Sequence, residues 1–222
     1  NFDVRDRAAA TAAAPRMVVA GPLISMIADP PLDLDDPPIV KVASPDAARA
    51  RVARELVRNP DFIKVWLIYE KGDDLAAQEA IVKAAGDAAH AAGKRLAVHA
   101  TELVAAKAAL RAGADFLVHS VFDAPVDDEF IGLLKQRGAI YCPTLFVMES
   151  YELALSNQWR PTPEESQRAD PQILAAMDDL NDIPADKRPP YVAKLMADPK
   201  PPPLPAVGMQ NLRALQAAGI TI

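Results

Sequence analysis

The chain has 222 residues, 50% of them hydrophobic and 24% charged, with a formal net charge of −6 and a single cysteine. That composition suits a soluble globular protein with a substantial core. The charge balance argues against nucleic acid or an anionic membrane as the main partner, no apolar run reaches the eighteen or so residues of a membrane span, and one cysteine excludes an internal disulfide framework. A small-molecule substrate is the expected partner.

In chain order, "VRDR" (4–7) is followed by an Ala-rich connector (8–15) and the β-rich run "RMVVAGPLI" (16–24). A Pro/Asp-rich loop (29–38) leads to a helix over 44–59, with Ser44 as N-cap and Pro45 at the first helical position. A strand is predicted at 62–69 and a helix at 73–93, closed by Gly93. Strand 95–100, helix 101–112 before Gly113, strand 116–121, helix 126–137 before Gly138 and strand 139–146 complete the series. The final "GITI" (219–222) reads as a strand stub.

Strand, helix and glycine in repeated succession predict βαβ units and a parallel sheet. The strands are continuous apolar runs, as expected when both faces of a sheet are covered. No G-x-G-x-x-G follows any strand, so a dinucleotide-binding fold lacks its main mark. The predicted fold class is α/β, a (β/α)8 TIM-like barrel. Such barrels take about 250 residues, and about six strands are countable. The barrel is therefore expected to be incomplete, without its first strand or two and the end of its last. The opening "NFDVRDR" and the closing "AAGITI" read as the inside of a longer domain, and no localisation is assigned.

Residues 147–205 break the rhythm with proline, charge and short helical patches. They are expected to form a helical insertion within a domain spanning 1–222. Because they follow a strand's C-terminal end, they are also a candidate lid, with Tyr151, Trp159 and Tyr191 on its inner wall.

The chemistry-bearing residues sit in and at the ends of the strands. His99 in "RLAVHA" and His119 in "FLVHS" end consecutive strands, which in a parallel barrel converge on one mouth where two imidazoles can share an ion. Each is alternatively a buried structural histidine. Lys64 stands inside the apolar strand "DFIKVWLIY", where a bare ammonium is costly. It either snorkels to the rim, serves as an amine nucleophile of lowered pKa, or captures CO2 to become a carbamate that bridges metals. His90 is expected to face solvent at a helix C-terminus, and Cys142 to be a small buried hydrophobe. Thr101 and Glu102 are expected to cap the following helix.

The runs "IKVW", "AAHAAGKRLAVHATE", "ALRAGADFLVHSV" and "GAIYCPTL", in that order, resemble the amidohydrolase superfamily, in its imidazolonepropionase-like and Xaa-Pro dipeptidase-like branch. "RMVVAGPLIS" looks like that branch's third strand and "VRDR" like the end of its second. The resemblance covers most of 4–146 and resumes at 206–222. It implies one or two divalent metals, zinc first among them, at the C-terminal mouth. Lys64 matches the carboxylated bridging lysine, a CO2-derived carbamate, and His99 and His119 match the metal-binding histidines of strands five and six. The implied reaction is hydrolysis of an amide, cyclic amide or dipeptide-like C–N bond, with Lys64 part of the catalytic centre. Two family features are missing: a His-x-His pair on strand one, and an aspartate after strand eight. The chain alone is therefore expected to be inactive. A Schiff-base lyase using Lys64 and a non-catalytic barrel module are the alternative readings. Exposed strand edges would call for further strands or for a homo-oligomer.

Overall fold

The computed structural model describes residues 2–27, 38–177, 179, 182–198 and 206–222. The loop expected at 29–38 lies almost entirely outside them. The chain divides into two compact units, residues 1–144 with 207–222, and residues 145–206.

The first unit is built on six parallel strands: β1 (Leu23–Ser25), β2 (Ile39–Lys41), β3 (Phe62–Trp66), β4 (Arg95–His99), β5 (Phe116–Val118) and β6 (Ile140–Cys142). Their order in the sheet is β2-β1-β3-β4-β5-β6. From β3 onward each strand lies beside its successor, as βαβ crossovers dictate. Helix α2 (Pro45–Leu56) leads into β3, α3 (Leu75–Ala91) into β4, α4 (Leu103–Arg111) into β5 and α5 (Asp128–Arg137) into β6. The Ser44 side chain accepts a hydrogen bond from the Ala47 amide, as its sequence context predicts.

One face of the sheet is dry. Ile63, Val65, Leu96, Val98, Leu117 and Tyr141 alternate onto it and join the buried faces of α2 to α5 in one core. Alanine and glycine let these helices lie close: a Cβ on Gly86 of α3 would stand 3.0 Å from the Leu96 side chain and 3.1 Å from the Ala112 carbonyl. Gly138 closes α5 in the left-handed conformation, φ 63°, which glycine adopts without steric cost. The other face carries Phe62, Lys64, Trp66, Ala97, His99, Phe116, Val118 and Cys142 in register across the strands. All of these but Ala97 keep some exposure.

Two local expectations are corrected. "VRDR" lies in helix α1 (Phe2–Ala9), held by Arg5 to the Asn59 carbonyl and Asp61, rather than in a strand. "GITI" is not a strand by its own pairing, although Thr221 accepts a backbone hydrogen bond from Tyr141 of β6 at 2.9 Å. The sixth strand is Ile39–Lys41 instead, a three-residue run behind prolines too short to show in the sequence. Helix α10 (Ala206–Ala217) returns the chain to this unit, where its Leu215 is fully buried.

The second unit consists of α6 (Val147–Leu155), α7 (Pro163–Arg168), α8 (Pro171–Ala176), a 3-10 turn (Ala185–Lys187) and α9 (Pro190–Ala197). Thr162 and Glu165 form a reciprocal capping box on α7. Helices α6 and α9 pack together. Tyr151 and Tyr191 are half exposed. Among the described residues no helix is long and apolar enough to cross a membrane.

Candidate functional site

Lys64, His99 and His119 meet on the open face at the C-terminal side of the sheet. Lys64 pairs in register with Ala97, and His99, two residues further along β4, pairs with Val118. His119 follows immediately, and its amide donates to the Cys142 carbonyl at 2.9 Å. The imidazole centroids of His99 and His119 are 4.7 Å apart at an interplanar angle of 68°. Trp66 flanks His99 edge-on at 5.9 Å.

The set is basic throughout. The Lys64 Nζ is buried with no hydrogen-bond partner, so this lysine does not snorkel to the rim. Burial pushes its ammonium down to about 8, against a small opposing effect of Cys142. Burial likewise pushes His99 down to about 3, and the neighbouring His119 and Lys64 act in the same direction. His119 is lowered by burial and then by Lys64. Buried bases crowded together favour their neutral forms, and neutral nitrogen has a lone pair to donate.

Lys64 also lines a cavity of about 940 Å³, with Phe62, Ala97 and Val118 on the sheet side. Arg51 and Glu55 of α2 line the same cavity. Glu55 is buried, and its Oε1 accepts from Arg51 Nε at 2.8 Å while its Oε2 is unpartnered. Burial raises its pKa in spite of the arginine.

Three single-residue expectations change. His90 does not simply face solvent: its Nε2 lies 2.7 Å from Asp115 Oδ2, which also accepts from the Leu96 amide at 2.7 Å. Cys142 is exposed, not buried. Glu102 stands at the N-cap of α4 without capping it; its Oε1 accepts from the Thr101 hydroxyl, and Asp123 receives the Leu103 amide instead.

Sequence reasoning also passed over Thr144, Tyr141 and Asn211. Thr144 Oγ1 lies 2.5 Å from His119 Nδ1. The Tyr141 hydroxyl accepts the Val121 amide at 2.9 Å, and buried Asn211 donates to the Val121 and Ala124 carbonyls while accepting from the Val126 amide. "YCPTL" drew attention only for its cysteine, and nothing in "MQNLR" marks Asn211 as a partner of residues 85 to 90 positions away.

These positions can be set against known proteins. No protein-family model matches the chain, and no curated protein does. Solved structures do match. A Bifidobacterium longum protein designated a candidate prolidase superposes with a TM-score of 0.61 at 21% identity, covering 98% of this chain and 46% of its own. The chain shares that structure's fold. A Xaa-Pro dipeptidase crystallised with methionine in its active site gives a TM-score of 0.57 at 22% identity, over 100% of this chain and 50% of that one. The Aspergillus niger ochratoxinase gives 0.52 at 16% identity, over 90% and 38%. The chain thus spans about half the length of the first two of these structures. The resemblance drawn from the ordered runs "IKVW", "AAHAAGKRLAVHATE", "ALRAGADFLVHSV" and "GAIYCPTL" holds at the level of the fold.

The donor set bears on a metal. Among the described residues no group of three or more His, Cys, Asp or Glu side chains is placed to hold an ion. His99 and His119 offer two imidazole nitrogens, and a catalytic zinc takes about three protein ligands. The third donor is available only if Lys64 supplies it, and a free ammonium cannot. A carbamate on its unpartnered buried Nζ would give an oxygen ligand and put negative charge where the site has none. On that chemistry the three residues fit a divalent ion.

Proposed function

We propose that this chain carries part of the centre of a metal-dependent hydrolase acting on amide or related C–N bonds, cyclic amides and dipeptide-like substrates included. The observation that carries the reading is the meeting of two imidazoles of lowered basicity with a buried, unpartnered lysine at the C-terminal side of a parallel sheet. The amidohydrolase-type fold supports it, because active sites of parallel (β/α) barrels form at that side. In this reading the open six-stranded sheet is part of a (β/α)8 barrel.

His99 and His119 would hold a divalent ion, zinc being well suited to imidazole and carboxylate-like oxygen, and carboxylated Lys64 would complete the set. Such an ion makes water a nucleophile at neutral pH and polarises the scissile carbonyl. The chain's own residues have the remaining tasks. His99 and His119 stay neutral at physiological pH and keep lone pairs available. Trp66 backs the His99 ring, and the strand registers fix both imidazoles on one face.

A second reading is favoured by one observation. Lys64 titrates near 8 and lines a cavity, which suits an amine that attacks a carbonyl substrate and forms a Schiff base. Two experiments on the 222-residue chain separate the readings. With ¹³C-bicarbonate and zinc, a carbamate carbon resonance is expected that Lys64→Arg abolishes. Borohydride reduction with an aldehyde or keto-acid panel is expected to leave no adduct on Lys64. An adduct at Lys64 without a carbamate signal would replace the hydrolase reading with the lyase one.

A further inference from the structure

His119 and Thr144 share an unusual backbone state. Both adopt positive φ, 79° and 43°, the left-handed region that non-glycine residues rarely enter and β-branched threonine least of all. Asn59 and Asn157, also at positive φ, are of the type that tolerates it. Such conformations persist where the surroundings over-determine them, and they cluster at functional sites.

Here the surroundings are specific. From His119 onward the chain is laced to the end of β6. The His119 amide donates to the Cys142 carbonyl, the Ser120 hydroxyl to the Pro143 carbonyl at 2.8 Å, and the Val121 amide to the Tyr141 hydroxyl. Asn211 then holds Val121, Ala124 and Val126 from α10. At the head of this lacing the two left-handed residues turn their side chains to each other, Nδ1 to Oγ1 at 2.5 Å.

Resting on the metal-centre reading, we propose that Thr144 is the positioning residue of His119: its Oγ1 accepts the Nδ1–H, which fixes the ring and leaves the Nε2 lone pair free for the centre. The ring so fixed lies with its centroid 4.7 Å from that of His99. Free histidine prefers Nε2–H, so the hydroxyl must overturn an intrinsic bias. The hydrogen bond made by the non-ligating nitrogen is the usual device for setting a histidine's tautomer and orientation.

The test is the ¹⁵N spectrum of the imidazoles in the ¹⁵N-histidine-labelled, metal-free 222-residue chain at pH 7.5, with His119 assigned by its loss in His119→Gln. Wild type and Thr144→Ser are expected to show His119 as the Nδ1–H tautomer. In Thr144→Val the ratio should move about fivefold or more toward Nε2–H, the effect of one hydrogen bond. If Thr144→Val fails to fold, Thr144→Gly reads the same loss without the backbone strain. Zinc affinity should fall about tenfold in the variant that lacks the hydroxyl and recover in Thr144→Ser. A wild-type His119 already in the Nε2–H form, or a ratio indifferent to removal of the hydroxyl, overturns the proposal. If the tautomer responds but wild type takes up no metal, the metal-centre reading falls and the positioning role stands.

Discussion

The two ends of strands β4 and β5 hold the chain's three histidines in opposite circumstances. At the N-terminal end His90 meets a carboxylate: Asp115 takes its Nε2 and the Leu96 amide together, and Arg137 approaches the other carboxylate oxygen at 3.6 Å while donating to the Gly113 carbonyl. At the C-terminal end His99 and His119 face each other and Lys64, and no acid lies among the causes that shift their pKa values. A satisfied polar cluster secures a fold, whereas a crowded set of buried bases costs stability. In (β/α)8 barrels generally, stability is concentrated at the bottom face and chemistry at the top.

The largest effect expected from breaking the contrast is at the satisfied end. Asp115→Ala leaves the Leu96 amide, His90 and Arg137 without their shared acceptor and should cost about 3 kcal/mol in urea unfolding. At the other end the sign reverses. Lys64→Met removes a buried unpartnered ammonium and should stabilise the metal-free chain by about 2 kcal/mol at pH 7. The wild-type lysine titrates near 8 when folded and near 10.5 when unfolded. Between those values the unfolded chain binds more protons, so stability should climb with pH there, and the Met variant should lose that climb.

Acid sharpens the same comparison. Folded His99 stays neutral down to about 3, whereas its ordinary value is 6.5. Below about pH 6.5 the unfolded chain therefore takes up protons that the folded chain refuses, and stability falls as pH drops. From pH 7 to 5 the loss from His99 is at most about 2 kcal/mol, reduced by the ring's partial exposure. His99→Leu should flatten that limb of a pH-dependent unfolding series. The smallest effect belongs to Cys142, exposed on the same face and second to burial among the causes that shift Lys64. Cys142→Ser should change stability by less than about 0.5 kcal/mol and leave metal uptake intact.

Much of the first unit could be read from sequence because its signals are local. Glycines 93, 113 and 138 each take positive φ where a helix must stop, and Ser44 caps as its context requires. What escaped depends on contacts distant in the chain or on very short pairings. Strand β2 is three residues long, and "VRDR", matched through the resemblance to the end of a strand, lies in a helix docked through Arg5. At the site, the placing of His99 and His119 at successive strand ends, and of Lys64 inside the strand before them, was visible in the sequence. Their surroundings were not: Thr144 lies 25 residues from His119, and Asn211 up to 90 from the carbonyls it holds. His90 was misjudged for the same reason, since Asp115 is 25 residues away.

The central claim is that Lys64, His99 and His119 together bind a divalent ion. Its most direct test is equilibrium dialysis of the 222-residue chain against zinc and bicarbonate, followed by elemental analysis, in parallel with Lys64→Ala and the double variant His99→Ala/His119→Ala. The account predicts that the wild type retains about one equivalent of zinc, that the double variant retains none, and that Lys64→Ala retains clearly less than wild type. Equal zinc content in wild type and double variant would contradict it and leave the two imidazoles as core residues of the sheet.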